Sequence, residues 1–401
     1  MPPPSQSARA RSRRAIIATS FAFLVTMLGT TLPTPLYSIY SEQLAFTPLT
    51  VTTLFAVYAI GVVGALALFG RLSDDVGRRP ALMGAVALAL LSALLFLIPP
   101  TLTILLVARI VSGLAAGLMS GAGTAAIMDL FPDNRKSLAG TVAVMVNSGG
   151  LAIGTLLSGA LASGIALPLV TPFVAHLALC CLALMALVAW TPSPPQRGHL
   201  RIRPQRLRVP TEIRGPFLRA VLAAGTGFAG AGVLTAVSAL FLARDLQLTS
   251  HFLAGFVVFL TFAGITGGQL IARNLEPRTA LLAGCAGLVA AAAALAFALA
   301  SATLAPLLIA SVTLGVACGL CMNAGITTTV GKVAPDQRGE VSSSFFSGLY
   351  LMLAIPAIGV GLLSTTHGIR PSGLVFSGLV ALLALGVGIL EALTPRSSTD
   401  H

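Results

Sequence analysis

The sequence predicts an all-α membrane protein with twelve transmembrane helices in two pseudo-symmetric six-helix bundles. Three observations support this prediction: the composition, the length of the apolar stretches and an internal repeat. Of 401 residues, 56% are hydrophobic and 9% are charged, whereas roughly 25% of residues are charged in soluble domains. A soluble fold could not bury that much apolar surface, so we expect the chain to lie in a lipid bilayer.

Each apolar stretch is about 20 residues long, enough for one helix to cross a hydrocarbon core of about 30 Å. A membrane-spanning chain must satisfy its own backbone hydrogen bonds, which leaves helices or a closed barrel. Continuous apolar runs such as 81–98 and 280–300 do not alternate and therefore indicate helices. The predicted spans are 15–36, 49–69, 80–98, 102–128, 138–163, 168–190, 217–241, 251–271, 279–300, 303–330, 341–364 and 371–392.

The net charge of +12 could indicate an anionic partner, so the placement of the basic residues matters. With the N-terminus inside, only Arg244 and Arg370 fall in loops of the outer side, and Arg109 falls within a helix. The other Lys and Arg residues lie in the tails and inner loops, as the positive-inside rule predicts. We therefore expect a multi-pass protein of the cell inner membrane, with both termini cytoplasmic and no nucleic-acid partner. The apolar stretch from Ala15 is interpreted as the first span, because no cleavage site of a signal peptide follows it.

The domain organisation is predicted to be bipartite. A stretch rich in proline and arginine separates six spans from six more, and short motifs in span four recur in span ten. Gly113–Leu118 resembles Gly315–Leu320, and Pro132–Arg135 resembles Pro335–Arg338, about half a chain later. Two parallel halves are a transporter architecture with the substrate site near the midplane. The predicted segments are an N-terminal tail (1–14), a first bundle (15–190), a basic cytoplasmic linker (191–216), a second bundle (217–392) and a C-terminal tail (393–401).

The loop after the second span carries the most specific motif of the chain. It consists of Gly70-Arg71-Leu72-Ser73-Asp74-Asp75-Val76-Gly77-Arg78-Arg79. This sequence resembles the major facilitator signature G-x-L-[AS]-D-[RK]-x-G-R-[RK], except that Asp75 stands where the family has a base. Glycines permit close packing and a tight turn, and the arginines hold the loop at the cytoplasmic face.

The resemblance implies the major facilitator fold and a gate formed by Gly70, Asp74, Gly77, Arg78, Arg79 and Asp129. In the family the aspartate lies near the N-terminus of the eleventh helix, here the region 341–343, where the helix dipole favours a negative charge. Arg78 is expected to pair with Asp129. The alternative is that this loop only orients the protein in the membrane.

Span four carries a second family pattern, R-x-x-x-G-x-x-x-G, as Arg109, Gly113 and Gly117. The glycines permit close helix approach. An arginine at a helix centre is costly, so Arg109 is expected to face the bundle interior, or else to extend to the membrane surface. In proton-coupled relatives this arginine contributes to coupling. Glu42 is a candidate partner.

Span five resembles the pattern of drug–proton antiporters only in part. Gly150, Gly154 and Gly159 fit and permit close packing, but Thr155 replaces the proline that kinks this helix in antiporters.

Titratable groups for proton coupling are scarce, since none of the twelve Asp and Glu residues lies mid-span. His176 is a candidate because the pKa of histidine suits proton exchange, but a lone buried histidine is more often a satisfied hydrogen-bonding residue. Asn147, Gln269 and Asn323 could line a polar site or bridge helices. Tyr58 and Tyr350 are interpreted as packing residues, as are Cys318 and Cys321, so neither a metal site nor a cofactor is expected.

The sequence therefore predicts a secondary transporter that works by alternating access, not an enzyme. It contains no G-x-x-x-x-G-K-[ST] motif for a nucleotide and no G-x-S-x-G or H-E-x-x-H motif for hydrolysis. Proton-coupled efflux of a drug-like or metabolite substrate by a monomer is the main hypothesis. A proton-linked uptake permease for a sugar or other small metabolite, and a non-transporting sensor, remain alternatives.

Overall fold

A computed structural model describes residues 6–70, 72–192, 208–334 and 337–394, with the side chains of residues 6–11 and 74 outside that description. The described residues form helices, short 3₁₀ turns and loops, without a strand. The α-helices are α1 (Gln6–Thr31), α2 (Tyr37–Gln43), α3 (Pro48–Phe69), α4 (Leu72–Asp75), α5 (Arg78–Leu97), α6 (Leu102–Leu130), α7 (Lys136–Gly164), α8 (Thr171–Trp190), α9 (Arg214–Arg244), α10 (His251–Ala272), α11 (Pro277–Ser301), α12 (Leu304–Thr329), α13 (Arg338–His367) and α14 (Ile369–Leu393).

The described residues contain twelve spans that are long and apolar enough to cross a membrane, which confirms the predicted fold class. The first span is longer than predicted: it runs from Ser12 to Gln43 and includes most of α1 and all of α2. Pro33 and Pro35 do end α1, as expected for residues without an amide donor. A 3₁₀ turn over Thr34–Leu36 then leads directly into α2, so the chain stays in the bundle for two further helical turns.

Two segments predicted as non-helical are helical in part. α1 begins at Gln6, within the predicted N-terminal tail, and α9 begins at Arg214, within the predicted linker. Most of that linker lies outside the described residues. Its boundaries, and those of the two predicted bundles, stay predictions.

Glycines set the closest helix contacts, and these contacts repeat between the halves. Gly113 of α6 faces Gly61 of α3, where an added Cβ would lie 2.9 Å from the Gly61 Cα. Gly315 of α12 faces Gly264 of α10 with the same 2.9 Å separation. Because only glycine permits this approach, the repeated motifs of spans four and ten mark equivalent packing sites.

The apolar core is distributed unevenly along the membrane normal. We call the end that carries residues 70–77 the motif face, and the other end the opposite face. Near the opposite face one cluster contains buried residues from both halves, such as Leu32, Phe55, Leu240 and Val360. Towards the motif face each half has a separate cluster. Among the described residues, a fully buried core shared by both halves lies near the opposite face, whereas towards the motif face the halves meet through Phe346, which packs against both clusters, and through Arg273, which donates to the Ser137 carbonyl at 2.9 Å.

Candidate functional site

Arg109 is a charged side chain buried inside the membrane-spanning part of the structure. It lies on α6, about two turns from the helix start, and is 1% exposed. Its Nε donates to the Leu54 carbonyl at 3.2 Å and its Nη1 to the Thr30 carbonyl at 2.7 Å. Arg109 thus faces the bundle interior and does not extend to the surface. Glu42 is not its partner, because that residue is exposed near the end of α2.

Four aromatic rings connect Arg109 with the second half of the molecule. The guanidinium carbon lies 4.6 Å from the ring centroid of Tyr58 and 5.9 Å from that of Phe55, within the range of cation–π attraction. Tyr58 packs edge-on against Tyr350 of α13 at 6.2 Å, and Tyr350 against Phe228 of α9 at 5.5 Å. We call Phe55, Tyr58, Tyr350 and Phe228 the aromatic bridge. Tyr58 and Tyr350, which the sequence suggested as packing residues, therefore cross the interface between the halves.

Several hydroxyl groups of α2 and α9 are buried without a hydrogen-bond partner among the described residues. They belong to Tyr37, Tyr40 and Ser41 of α2 and to Ser238 of α9. Tyr37 is 1% exposed and belongs to the same buried cluster as Leu105 and Ala108 of α6. Buried polar groups are normally hydrogen-bonded, so these hydroxyls retain unused hydrogen-bonding capacity in this arrangement. The sequence alone did not indicate them.

At the motif face, the structure brings Arg78 and Asp129 together. Arg78 Nε donates to Asp129 Oδ2 at 2.8 Å, and Arg78 Nη1 donates to Ser73 Oγ at 2.7 Å. Gly77 adopts a φ of +97°, which a residue with a side chain rarely adopts, and this turn places Arg78 at the start of α5. These contacts tie the loop to the ends of α5 and α6.

Three other predicted gate residues lie in or beside the same loop. Arg79 Nη2 donates to the Val188 carbonyl of α8 at 2.8 Å. Gly70 follows α3 in a right-handed conformation and does not require its glycine freedom there. Asp74 belongs to α4, but its side chain lies outside the described residues, so its contact with residues 341–343 stays a prediction.

The other polar candidates are scattered. His176 is buried on α8, where its Nε2 lies 3.1 Å from the Val25 carbonyl and its ring packs against Gly29 of α1. Gln269 is buried on α10, whereas Asn147 and Asn323 are half-buried on α7 and α12. None of these four side chains is among the described contacts of Arg109.

The glycines of α7 contact two different neighbours. Gly150 and Gly154 pack against the backbone of α1 within the first half. Gly159 packs against His251 of α10, where an added Cβ would lie 2.5 Å from the carbonyl oxygen. Reciprocally, a Cβ at Gly255 of α10 would overlap the Thr155 carbonyl. The α7–α10 contact near the opposite face therefore joins the halves through glycine on both sides.

An open cavity of about 330 Å³ lies at the opposite face between α3 and the C-terminal half. Thr47, Pro48, Arg244, Ser364 and Thr365 line it. Asp245 follows Arg244 in the chain. Partial burial raises the pKa of the Asp245 carboxyl, and the positive charges of Arg370 and Arg244 offset part of this shift by lowering the pKa.

Comparisons with known proteins agree with this architecture. Residues 19–357 match a family model described as "Major Facilitator Superfamily". The quinolone resistance protein NorA of Staphylococcus aureus is 24% identical over 137 residues, which cover 34% of this chain and 35% of NorA. The major facilitator-type transporter psiT2 of Psilocybe cyanescens is 34% identical over 107 residues, 26% of this chain and 20% of psiT2. The matched segments thus span about a third or less of these relatives.

Solved structures resemble the whole chain. A bacterial homolog of the human lysosomal transporter Spinster, in an inward-facing and unoccupied conformation, has a TM-score of 0.75 at 16% identity. That match covers 97% of this chain and 98% of the homolog. The nucleoside transporter NupG has a TM-score of 0.68 at 12% identity, over 94% of this chain and 99% of NupG. At these identities the likeness is one of fold.

Proposed function

Since this chain belongs to the Major Facilitator Superfamily and is a multi-pass membrane protein of secondary transport, we propose that it exports a drug-like or metabolite substrate in exchange for protons. We place it in the cell inner membrane with both termini in the cytoplasm. The distribution of Lys and Arg supports this orientation, because almost all of them lie on the side of the motif face.

The observation that supports transport by alternating access most strongly is the uneven core. The two halves share one apolar cluster near the opposite face and have separate clusters towards the motif face. If the halves rocked about the central aromatic bridge, the opposite face would open while the motif face closed. The site would thus be exposed to each side of the membrane in turn. The glycine contacts between α7 and α10 hold the opposite face closed, and we propose that they open when the halves rock.

Export is the favoured direction on two grounds. The similarity to NorA, named for quinolone resistance, covers a third of the chain. The glycines of α7 also match part of the antiporter pattern, although the proline is absent. Arg109 is proposed to take part in proton coupling through its fixed positive charge, because a guanidinium does not release its proton. The titratable candidate is His176, which is packed within the first half.

Proton release from inside-out vesicles tests this proposal. The vesicles would be energised, loaded with a pH-sensitive dye and challenged with lipophilic drugs, sugars and organic acids. We expect at least one compound to dissipate the proton gradient with the wild-type protein and not with Asp74→Asn, which alters the motif loop. Accumulation of a compound by energised intact cells, without proton release in the vesicles, would contradict export and support uptake.

A further inference from the structure

Inside the described membrane-spanning helices, the positive charge of Arg109 has no acidic counterpart. Among the described residues, Glu42, Asp129, Glu340 and Glu391 lie near helix ends, Asp74 and Asp75 lie in the short helix α4, and the other Asp and Glu residues lie in loops or 3₁₀ turns. Arg109 is the single Lys or Arg placed well inside a span. A cationic substrate at the midplane would therefore meet a positive charge and no counter-charge, which is strongly unfavourable at low dielectric constant.

Arg109 retains hydrogen-bonding capacity. A guanidinium has five N–H donors, and its described hydrogen bonds, to Leu54 and Thr30, use only Nε and Nη1. The remaining N–H groups form part of a fork whose geometry suits a carboxylate. The hydroxyl of Tyr37, buried without a partner in the cluster that also contains Leu105 and Ala108 of α6, is a further donor for an anion.

The surroundings of Arg109 are aromatic. Tyr58 and Phe55 lie against the guanidinium, and Tyr350 and Phe228 continue the row into the second half. Rings at these separations offer edge and face contacts to a flat apolar group. A ligand at this bridge would thus bury an aromatic body between the halves and direct its charged end at Arg109.

We propose that the substrate is an organic anion, a carboxylate attached to an aromatic body, bound by Arg109, Tyr37 and the aromatic bridge. This inference rests on the proposed transport function and adds the class of substrate. Because Arg109 and Tyr37 are both 1% exposed, the anion reaches them only when the halves move apart. Its carboxylate then supplies the acceptor that the Tyr37 hydroxyl lacks in the closed arrangement.

Equilibrium binding to the purified full chain in nanodiscs tests this proposal, without any proton gradient. The probes are matched ligands with one aromatic body: phenylbutyrate, phenylbutylamine and phenylbutanol, and the corresponding naphthyl series. A charge-assisted hydrogen bond to arginine should favour each carboxylate over its amine and alcohol by about tenfold or more. Equal or tighter binding of the amines, or no binding of any carboxylate by folded protein, would overturn the proposal.

Three variants test whether the preference for carboxylates arises at Arg109 and Tyr37. Tyr37→Phe removes a hydroxyl without a partner, so the fold should be unaffected while carboxylate affinity falls by about tenfold or more, as expected for one hydrogen bond to a charged group. Arg109→Lys keeps the charge and loses the fork, so the carboxylate preference should shrink. Lys332→Gln removes an exposed cation at the motif face, outside the described cavity, and is the matched control, which should bind as wild type. Unchanged carboxylate binding in both Tyr37→Phe and Arg109→Lys would contradict the assigned site.

The result is separable from the export hypothesis. Preferential binding of carboxylates without proton release in vesicles would sustain the substrate class and contradict proton-coupled export. Proton release driven by amines alone would sustain export and contradict the substrate class.

Discussion

At the residue scale, the electrostatic centre of the molecule is Arg109. Burying an arginine in a membrane protein is costly unless its donors and charge are compensated. Here the carbonyls of Thr30 and Leu54 accept two hydrogen bonds, and the ring faces of Tyr58 and Phe55 provide further attraction. Arg109 therefore ties α6 to α1 and α3 and at the same time connects to the interface between the halves.

Replacing Arg109 with glutamine is expected to impair both stability and transport. The variant leaves buried carbonyl groups without their donor, and each such group costs about 1–3 kcal/mol. We expect a lower melting temperature in detergent and no substrate-driven proton release. Arg370→Gln is the matched control, because Arg370 also donates to backbone carbonyls, those of Leu299 and Ala300, but at the exposed opposite face. Equal losses in both variants would argue against a specific role for Arg109.

The pair Arg78–Asp129 should behave differently, because it is partly exposed. The side chains are 33% and 58% exposed, and such pairs contribute about 0–1 kcal/mol to stability. Asp129→Asn should therefore leave the melting temperature nearly unchanged while slowing transport, if the loop acts as a gate. Asp133→Asn, which alters a fully exposed acid nearby, is the control. A full transport rate in Asp129→Asn would indicate that the loop only orients the protein in the membrane.

At the scale of elements, two types of glycine contact serve two purposes. Gly113 and Gly315 hold α6 against α3 and α12 against α10, within each half. Gly159 and Gly255 hold α7 against α10, between the halves. Contacts of the first type should persist through the transport cycle, whereas contacts of the second type should open and close.

Valine at position 113 should destabilise the first half. Its side chain would overlap the Tyr58 carbonyl and Gly61, and such overpacking typically costs about 1–3 kcal/mol. Gly121→Val on the same helix is the matched control, since nothing lies within 4 Å of an added Cβ there. Thermal unfolding in detergent should separate the two variants clearly, and equal melting temperatures would contradict the described α3–α6 contact.

Valine at position 255 should instead shift the conformational equilibrium. It would wedge α10 away from α7 and open the opposite face, where Ser38 Oγ lies 3.4 Å from His251 Nδ1 across the interface. A Ser38→Cys reporter, in a background without the five native cysteines, should then react faster with a membrane-impermeant maleimide. Gly267→Val, which has open space around its Cβ, is the control. An unchanged labelling rate in Gly255→Val would contradict closure through this contact.

At the scale of the whole molecule, our proposal interprets the common core at the opposite face and the two separate cores towards the motif face as one state of a two-state carrier. The motif loop stays attached to the first half through Arg78 and Arg79. The aromatic bridge lies between the two regions. Motion of one half against the other would therefore change both faces in opposite senses while the bridge remains near the pivot.

The sequence was sufficient for the fold class, because a stretch of about 20 apolar residues forms a spanning helix for local reasons of composition and length. It was insufficient where geometry depends on neighbours. Pro33 and Pro35 suggested the end of the first span, but a 3₁₀ turn continues into α2. Arg109 is conspicuous in the sequence as a lone charge. Tyr37 and Phe228 look like lipid-facing aromatic residues in the sequence, and only the packing between the halves shows that they lie inside.

Paired distance measurements by electron–electron resonance test alternating access most directly. Spin labels at Asn134 and Lys332 would report on the motif face, and labels at Leu167 and Leu248 on the opposite face, all at exposed positions of different halves. Over a series of pH values and substrate concentrations, alternating access predicts that one distance lengthens whenever the other shortens. If both distances stay constant, or change in the same sense, in protein that transports, the rocking of two halves about a central site is contradicted.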